Sequence, residues 1–254
     1  MGTFRWMGFA ALAAAMACND YSAVAPDPGP QATVFVASGN IAAEVDNFRN
    51  ALGPSNGGTA GEQPARRREI SWDGAGANPF NNRNDFPAAF FNTNVKSGAV
   101  FTTAGTGFRN DSTALIEVNP NYGAEFTAFS PTKIFAPVGS NQLDQLFQVA
   151  GQPTPAVVNG FGIVLSDVDV ADKTTIELFA QDGSSLGTYV APVRSDAAGL
   201  SFIGVMYAEA LIARVRITLG TGALGANVND ISAGGTLDLV VLDNLIYGEP
   251  RKAF

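Results

Sequence analysis

From Gly98 to Tyr247 the chain is a succession of short apolar or alternating runs separated by Gly, Pro, Asn and Asp. Runs of this length are too short for amphipathic helices and suit strands of a packed sheet. They fall at 98–103, 113–118, 124–129, 133–136, 143–149, 159–166, 174–180, 185–190, 200–206, 212–219 and 237–247. In 212–219, Ala213, Val215, Ile217 and Leu219 alternate with Ile212, Arg214, Arg216 and Thr218, which predicts one buried and one wet face. Runs 159–166 and 237–247 are apolar on both faces, as strands at the centre of a sheet are. Asp182-Gly183 between two runs predicts a hairpin. Many short strands without β-α alternation give an all-β fold, an antiparallel β-sandwich.

Ahead of this region the texture is mixed. Thr33–Ala37 is β-like, and Ile41, Val45, Phe48 and Leu52 recur at helical spacing. The spacing predicts one short N-terminal helix over 41–52, capped by Asn40 and stopped by Gly53-Pro54. A glycine-rich loop follows over 53–65, then a strand over 66–72 that enters the turn dipeptide Asp73-Gly74. Residues 75–95 mix asparagine with phenylalanine, and the expectation is an ordered loop pinned to the sandwich by Phe90 and Phe91.

The first residues carry a different signal. Arg5 precedes an apolar, small-residue stretch from Trp6 to Ala17, the anatomy of a secretory signal peptide and too short to span a bilayer comfortably. Ala15-Met16-Ala17 before Cys18 allows cleavage after Ala17 with plain secretion, or acylation of Cys18, the one cysteine of the chain, as a lipoprotein. The expected organisation is a signal peptide over 1–17, a Pro-containing tether over 18–32 and one β-sandwich domain over 33–254, with a possible subdivision at the Gly/Pro cluster 151–157. The expected location is outside the cytoplasm: secreted, or held at the outer membrane or cell surface by a lipid on Cys18.

The stretch Phe161-Gly162, Asp167-Val-Asp169, Thr174-Thr-Ile-Glu-Leu-Phe179, Leu200-Ser-Phe-Ile-Gly-Val205, Ile212–Ile217 and Asp243-Asn-Leu-Ile-Tyr-Gly248 resembles the jelly-roll exodomains of bacterial secreted proteins. Members of PEP-CTERM-sorted families are among them. Phe48–Gly53, Arg67–Gly74 and Gly98–Thr103 are similar to an associated region, so the likeness covers roughly 41–249. The resemblance implies a jelly-roll-like sandwich and export. It assigns no activity, and residues 249–254 lack the sorting segment of those families.

Composition narrows the chemistry. There is no histidine, which excludes a Ser-His-Asp triad and His-ligated metals. A single cysteine excludes a disulfide framework. A net charge of −8 argues against nucleic acid as a partner, and against a membrane partner other than through a lipid at Cys18. Oxygen ligands are plentiful, so the one cofactor to expect is Ca²⁺. Asp243 shares an apolar face with Val241 and Leu245, unless a bulge swaps the faces, and a carboxylate there needs a partner. The choices are Arg214 or Arg216, a hydrogen-bonded turn, or a Ca²⁺ shared with Asp73. Asp167, Asp169 and Asp172 form either a second acidic ligand set or a solvated turn. Trp72 is expected in the core, and Arg66–Arg68 solvated or paired with Glu69 and other acids.

Asn82, Asn84, Phe86 and Asn92 give the 78–94 loop the amide-plus-aromatic composition of a carbohydrate contact, against which stands a loop packed on itself. The expected function is a surface-attached, non-catalytic module for adhesion or contact with an extracellular glycan or cell-surface component. The alternative is a carbohydrate-active enzyme that uses a pair of Asp/Glu side chains on the same scaffold.

Overall fold

The computed structural model describes Met1 and residues 30–64, 66–75, 79–196 and 198–253. Cys18, the signal-peptide segment and most of the tether lie outside the described residues. In chain order the strands are β1 (Ala32–Ser38), β2 (Arg67–Ile70), β3 (Ala99–Thr102), β4 (Gly107–Asp111), β5 (Ile134–Val138), β6 (Gln142–Phe147) and β7 (Ala156–Val157). They continue with β8 (Gly160–Ser166), β9 (Thr175–Phe179), β10 (Ser185–Val190), β11 (Leu200–Tyr207), β12 (Arg214–Thr218), β13 (Val241–Gly248) and β14 (Arg251–Lys252). The helices are α1 (Ala42–Leu52), α2 (Phe90–Thr93) and α3 (Tyr122–Glu125), and a 3₁₀ turn spans Asp73–Ala75.

Two antiparallel sheets stack face to face. The larger runs β1-β11-β8-β13-β5-β4, with β2 also beside β13, and the smaller runs β10-β9-β12-β6-β3. Both sheets draw strands from either side of residues 151–157. Their inner faces meet in one core: Phe161, Ile163 and Leu165 of β8 and Leu242, Leu245 and Tyr247 of β13 lie opposite Ile176, Leu178, Val215, Ile217 and Leu143. The alternation in β12 is as expected, with Val215 and Ile217 buried and Arg214 and Arg216 half-exposed. Those two arginines ion-pair with Asp144 on the neighbouring β6. The Asp182-Gly183 turn joins β9 to β10 as an antiparallel hairpin.

Strands β8 and β13 are buried along their whole length because the outer face of the large sheet is also covered. Helix α1 lies there, its Val45, Phe48 and Leu52 against Val164, Phe202 and Ile246. The paired glycines Gly162 and Gly204 make room for the Phe48 ring. A Cβ at Gly162 would stand 2.6 Å from that ring, and one at Gly204 2.9 Å. Gly53 ends α1, but Asn40 does not cap it: Ile41 takes the N-cap position with no side-chain hydrogen bond. The helix is held by its buried face instead.

Two expected strands are absent. Residues 113–118 form turns, and 124–129 contain the end of α3 and a loop. The Asp111 carboxylate accepts the N–H groups of Thr113 and Leu115 at 2.7 and 2.9 Å, which folds the chain back on itself. Ala114 and Leu115 consequently adopt positive φ, where a strand cannot continue. Leu115, Tyr122 and Phe126 still bury, forming with Ile134, Ala136, Leu239 and Val241 a small third core. Conversely, the polar run Gly107–Asp111 is a strand, β4, paired with β5.

Candidate functional site

Residues 79–94 of the Asn- and Phe-rich loop turn inward. Phe86, Phe90 and Phe91 are buried around Trp72, which stacks on Phe135 with ring centroids 3.9 Å apart. Residues 76–78 lie outside the described residues. The amides are engaged within the protein. Asn82 Oδ1 accepts the Ser112 N–H at 2.9 Å, and Asn84 Oδ1 accepts from Arg109 at 3.3 Å. Buried Asn92 donates to Gln148 and to the Gln152 carbonyl, and accepts the Gly151 N–H at 2.7 Å. Phe86 and Asn92 are therefore buried contacts of the fold.

Asp243 sits where β13 bulges. Leu242 pairs with Leu165 and Leu245 with Ile163, so β13 carries one extra residue between those pairs. Its fully buried carboxylate turns toward the loop after α3. Oδ2 accepts the N–H groups of Phe129 and Ser130 at 2.6 and 2.9 Å, and Oδ1 lies 3.0 Å from the Ser130 hydroxyl. That hydroxyl also lies 2.8 Å from Asp73 Oδ2. The Asp243 carboxylate is thus held by a hydrogen-bonded turn, Arg214 and Arg216 pair with Asp144 instead, and Asp73 meets Asp243 through one shared hydroxyl.

Burial pushes the Asp243 pKa up to about 7. The three hydrogen bonds work against that rise and the Asp73 charge adds to it. A raised carboxyl pKa contributes stability below the unfolded value of about 4, and the contribution is lost as pH rises through about 7. Asp243→Asn mimics the neutral acid: its carbonyl oxygen can accept both N–H groups and its NH₂ can donate to Ser130. The variant should exceed the parent by about 1 kcal/mol at about pH 5 and by about 4 kcal/mol at about pH 8, the two matching only below about pH 4. Urea melts of both proteins at the two pH values measure the difference. A pH-independent gap would mean that Asp243 does not titrate in this window.

A second carboxylate group lies at one end of the large sheet. Strands β8 and β13 are antiparallel neighbours, with Ser166 opposite Val241, so the residues after β8 meet those before β13. Asp167 and Asp169 come from the first segment, Asp238 from the second, Asp230 from the β12–β13 connection and Glu125 from the end of α3. Ligand-capable oxygens of Glu125, Asp167 and Asp230 lie within 4.8 Å of one another, as do those of Asp169, Asp230 and Asp238. Asp230 belongs to both sets. Asp172 is exposed and belongs to neither.

The roles within this group differ. Asp230 accepts the N–H groups of Leu239 and Ser232, both at 2.7 Å, and Asp238 accepts those of Asp169 and Val170 at 3.1 and 3.3 Å. The Ser232 hydroxyl bonds both Glu125 and Asp230. Asp167 is fully buried, and neither of its carboxylate oxygens has a hydrogen-bond partner. Burial first, then the charges of Asp230, Asp169, Glu125 and Asp238, push its pKa up to about 9. Burial and Asp230 similarly raise Asp169 to about 6. Sequence reading found Asp167 and Asp169. It missed Glu125, Asp230 and Asp238, which no local motif marks.

The opposite end of the β8–β13 pair opens into a cleft of about 1010 Å³. Leu52, Val157 and Leu211 supply apolar lining, and the exposed side chains of Arg66, Glu209 and Lys252 supply charge of both signs. Glu249 also lines it, but Arg68, Asn56 and the Gln63 N–H occupy its carboxylate. No helix among the described residues is long and apolar enough to cross a membrane.

No family model matches the sequence, and no curated protein matches it. Among solved structures, the chain is similar to the enzymatically active domain of tailspike protein 4 of bacteriophage CBA120, at 14% identity and a TM-score of 0.29. The match covers 65% of this chain and 21% of that one. At that TM-score the likeness carries neither fold nor function across.

Proposed function

We propose that the protein is an exported, surface-attached, non-catalytic β-sandwich module that contacts an extracellular glycan or another cell-surface component through the cleft beside α1. The signal-peptide anatomy of residues 1–17 and the candidate lipid site at Cys18 support export and attachment. The observation that carries the contact reading is the cleft itself. Apolar surface from Leu52, Val157 and Leu211 lies beside donors on Arg66 and Lys252 and acceptors on Glu209. A polyhydroxylated ligand offers the matching chemistry, C–H faces for the apolar lining and hydroxyls for the charged groups.

The test is a glycan array probed with the purified protein and with a Glu209→Ala/Lys252→Ala variant. Both side chains are exposed, so folding should be unaffected. Retention of a defined glycan is expected, falling about tenfold or more in the variant as charged hydrogen bonds are lost. No retention above background for the parent protein overturns the glycan reading. Glu62 and Glu209 line the same cleft, which is the observation that favours a glycoside-cleaving alternative. New reducing ends released from the retained glycan, and abolished by Glu209→Gln, would replace the non-catalytic reading with that one.

A further inference from the structure

We infer that Glu125, Asp167, Asp169, Asp230 and Asp238 bind a divalent cation of the calcium class at the end of the sandwich opposite the cleft. The five side chains come from three separate segments, and strand pairing brings their oxygens together in two sets that share Asp230, each within 4.8 Å. Carboxylates at that spacing repel one another unless a proton or a cation lies among them. Four of the five are buried, so water screens this repulsion poorly.

Asp167 separates a metal site from a merely acidic patch. Its carboxylate is fully buried, faces Glu125 and Asp230, and takes no hydrogen bond on either oxygen. The other buried members are tied down by backbone N–H groups or by Ser232, which fixes them in place and leaves further lone pairs free. One oxygen of Asp169 is likewise unpartnered. Protonating Asp167 would remove its charge and give one oxygen a proton to donate, yet leave the other oxygen without a donor. A cation meets both needs, since burial and the neighbouring carboxylates disfavour a bare charge on Asp167 and Asp169.

The donor set chooses the ion. All donors are carboxylate oxygens, which suit hard cations and give no preference for zinc or copper. Ca²⁺ accepts many oxygen ligands in irregular geometry, whereas Mg²⁺ requires near-octahedral geometry and keeps several waters. A buried, ligand-rich site drawn from several loops fits the first description. The bound ion would tie the end of α3, the chain after β8 and the β12–β13 connection to the start of β13.

The experiment uses the full chain, stripped with EDTA and dialysed, then titrated with CaCl₂ by calorimetry and melted with and without the ion. Saturable binding is expected, with a midpoint rise of about 5–10 °C at Ca²⁺ about a hundredfold above its dissociation constant. Asp167→Asn keeps the shape and removes one charge. In EDTA it should melt no lower than the parent, and it should lose the Ca²⁺-dependent rise. Absence of heat together with identical melts in EDTA and Ca²⁺ overturns the inference. So does a full rise retained in Asp167→Asn, which would place the ion elsewhere. A response to MgCl₂ but not to CaCl₂ overturns the calcium assignment. None of these readouts involves the cleft, so glycan contact stands or falls separately.

Discussion

Truncating either partner of the Arg68–Glu249 pair should cost about 3–5 kcal/mol, because each truncation leaves a buried charge unpaired. Both side chains are essentially inaccessible to solvent. Arg68 Nε and Nη2 each lie 2.7 Å from a Glu249 oxygen, a bidentate arrangement that a lysine cannot reproduce. The remaining guanidinium donors reach the carbonyls of Gly57, Thr59, Gly61 and Lys96. Arg68 therefore organises the glycine-rich loop as well as pairing β2 with the end of β13. Glu249 in turn accepts from Asn56 and from the Gln63 N–H.

Arg68→Ala and Glu249→Ala should each lower the melting midpoint by about 6–20 °C at 2–4 °C per kcal/mol for a domain of this size. Each should also sensitise residues 55–63 to proteases: Arg68→Ala removes the donor to the carbonyls of that loop, and Glu249→Ala removes the acceptor of the Asn56 side chain and the Gln63 N–H. The double replacement Arg68→Met/Glu249→Leu should cost less than the two single truncations added together, because it removes both charges at once. Additive losses, or single-variant losses below about 1 kcal/mol, would show that the pair behaves like an exposed surface bridge.

Trp72→Ala should cost a comparable amount, about 4 kcal/mol, by a different mechanism. The indole is fully buried, stacks on Phe135, and touches Phe86, Phe91 and Phe101. Its removal opens a cavity among rings that cannot all collapse into it. Its Nε1–H also donates to the Asp243 carbonyl at 2.7 Å. With Asp73 meeting the Asp243 side chain through Ser130, residues 72 and 73 latch onto the β13 bulge at two points. Trp72→Phe keeps a stacking ring but loses the hydrogen bond and part of the volume, so about 1–2 kcal/mol is expected. Chemical denaturation of the three proteins gives both values. Equal losses for Phe and Ala would assign the whole effect to the hydrogen bond and none to packing.

How much of this was legible beforehand varies with the distance over which the information acts. Alternation along one strand is local, so β12 could be read as half-wet, and β8 and β13 as central strands. The Phe-rich loop could be read as pinned because so many rings have to be buried somewhere. Residues 113–118 could not be read correctly: one carboxylate, Asp111, redirects a segment whose own residues alternate like a strand. Arg68 showed itself only as one of three arginines, and nothing local distinguished the buried one from exposed Arg66.

The sequence by itself determined an antiparallel sandwich with a helix near its start, because side-chain periodicity and turn residues act between near neighbours in the chain. Tertiary structure alone decided which acids meet. Asp167 and Asp169 were visible as a pair, but Asp230, Asp238 and Glu125 reach them only because β8 and β13 are antiparallel neighbours whose ends coincide. Asp243 was visible as a misplaced charge, yet a one-residue bulge and a loop brought from after α3 determine that backbone N–H groups and a serine receive it. Such meetings depend on register between distant segments, and strand register is a property of the folded pair rather than of either strand.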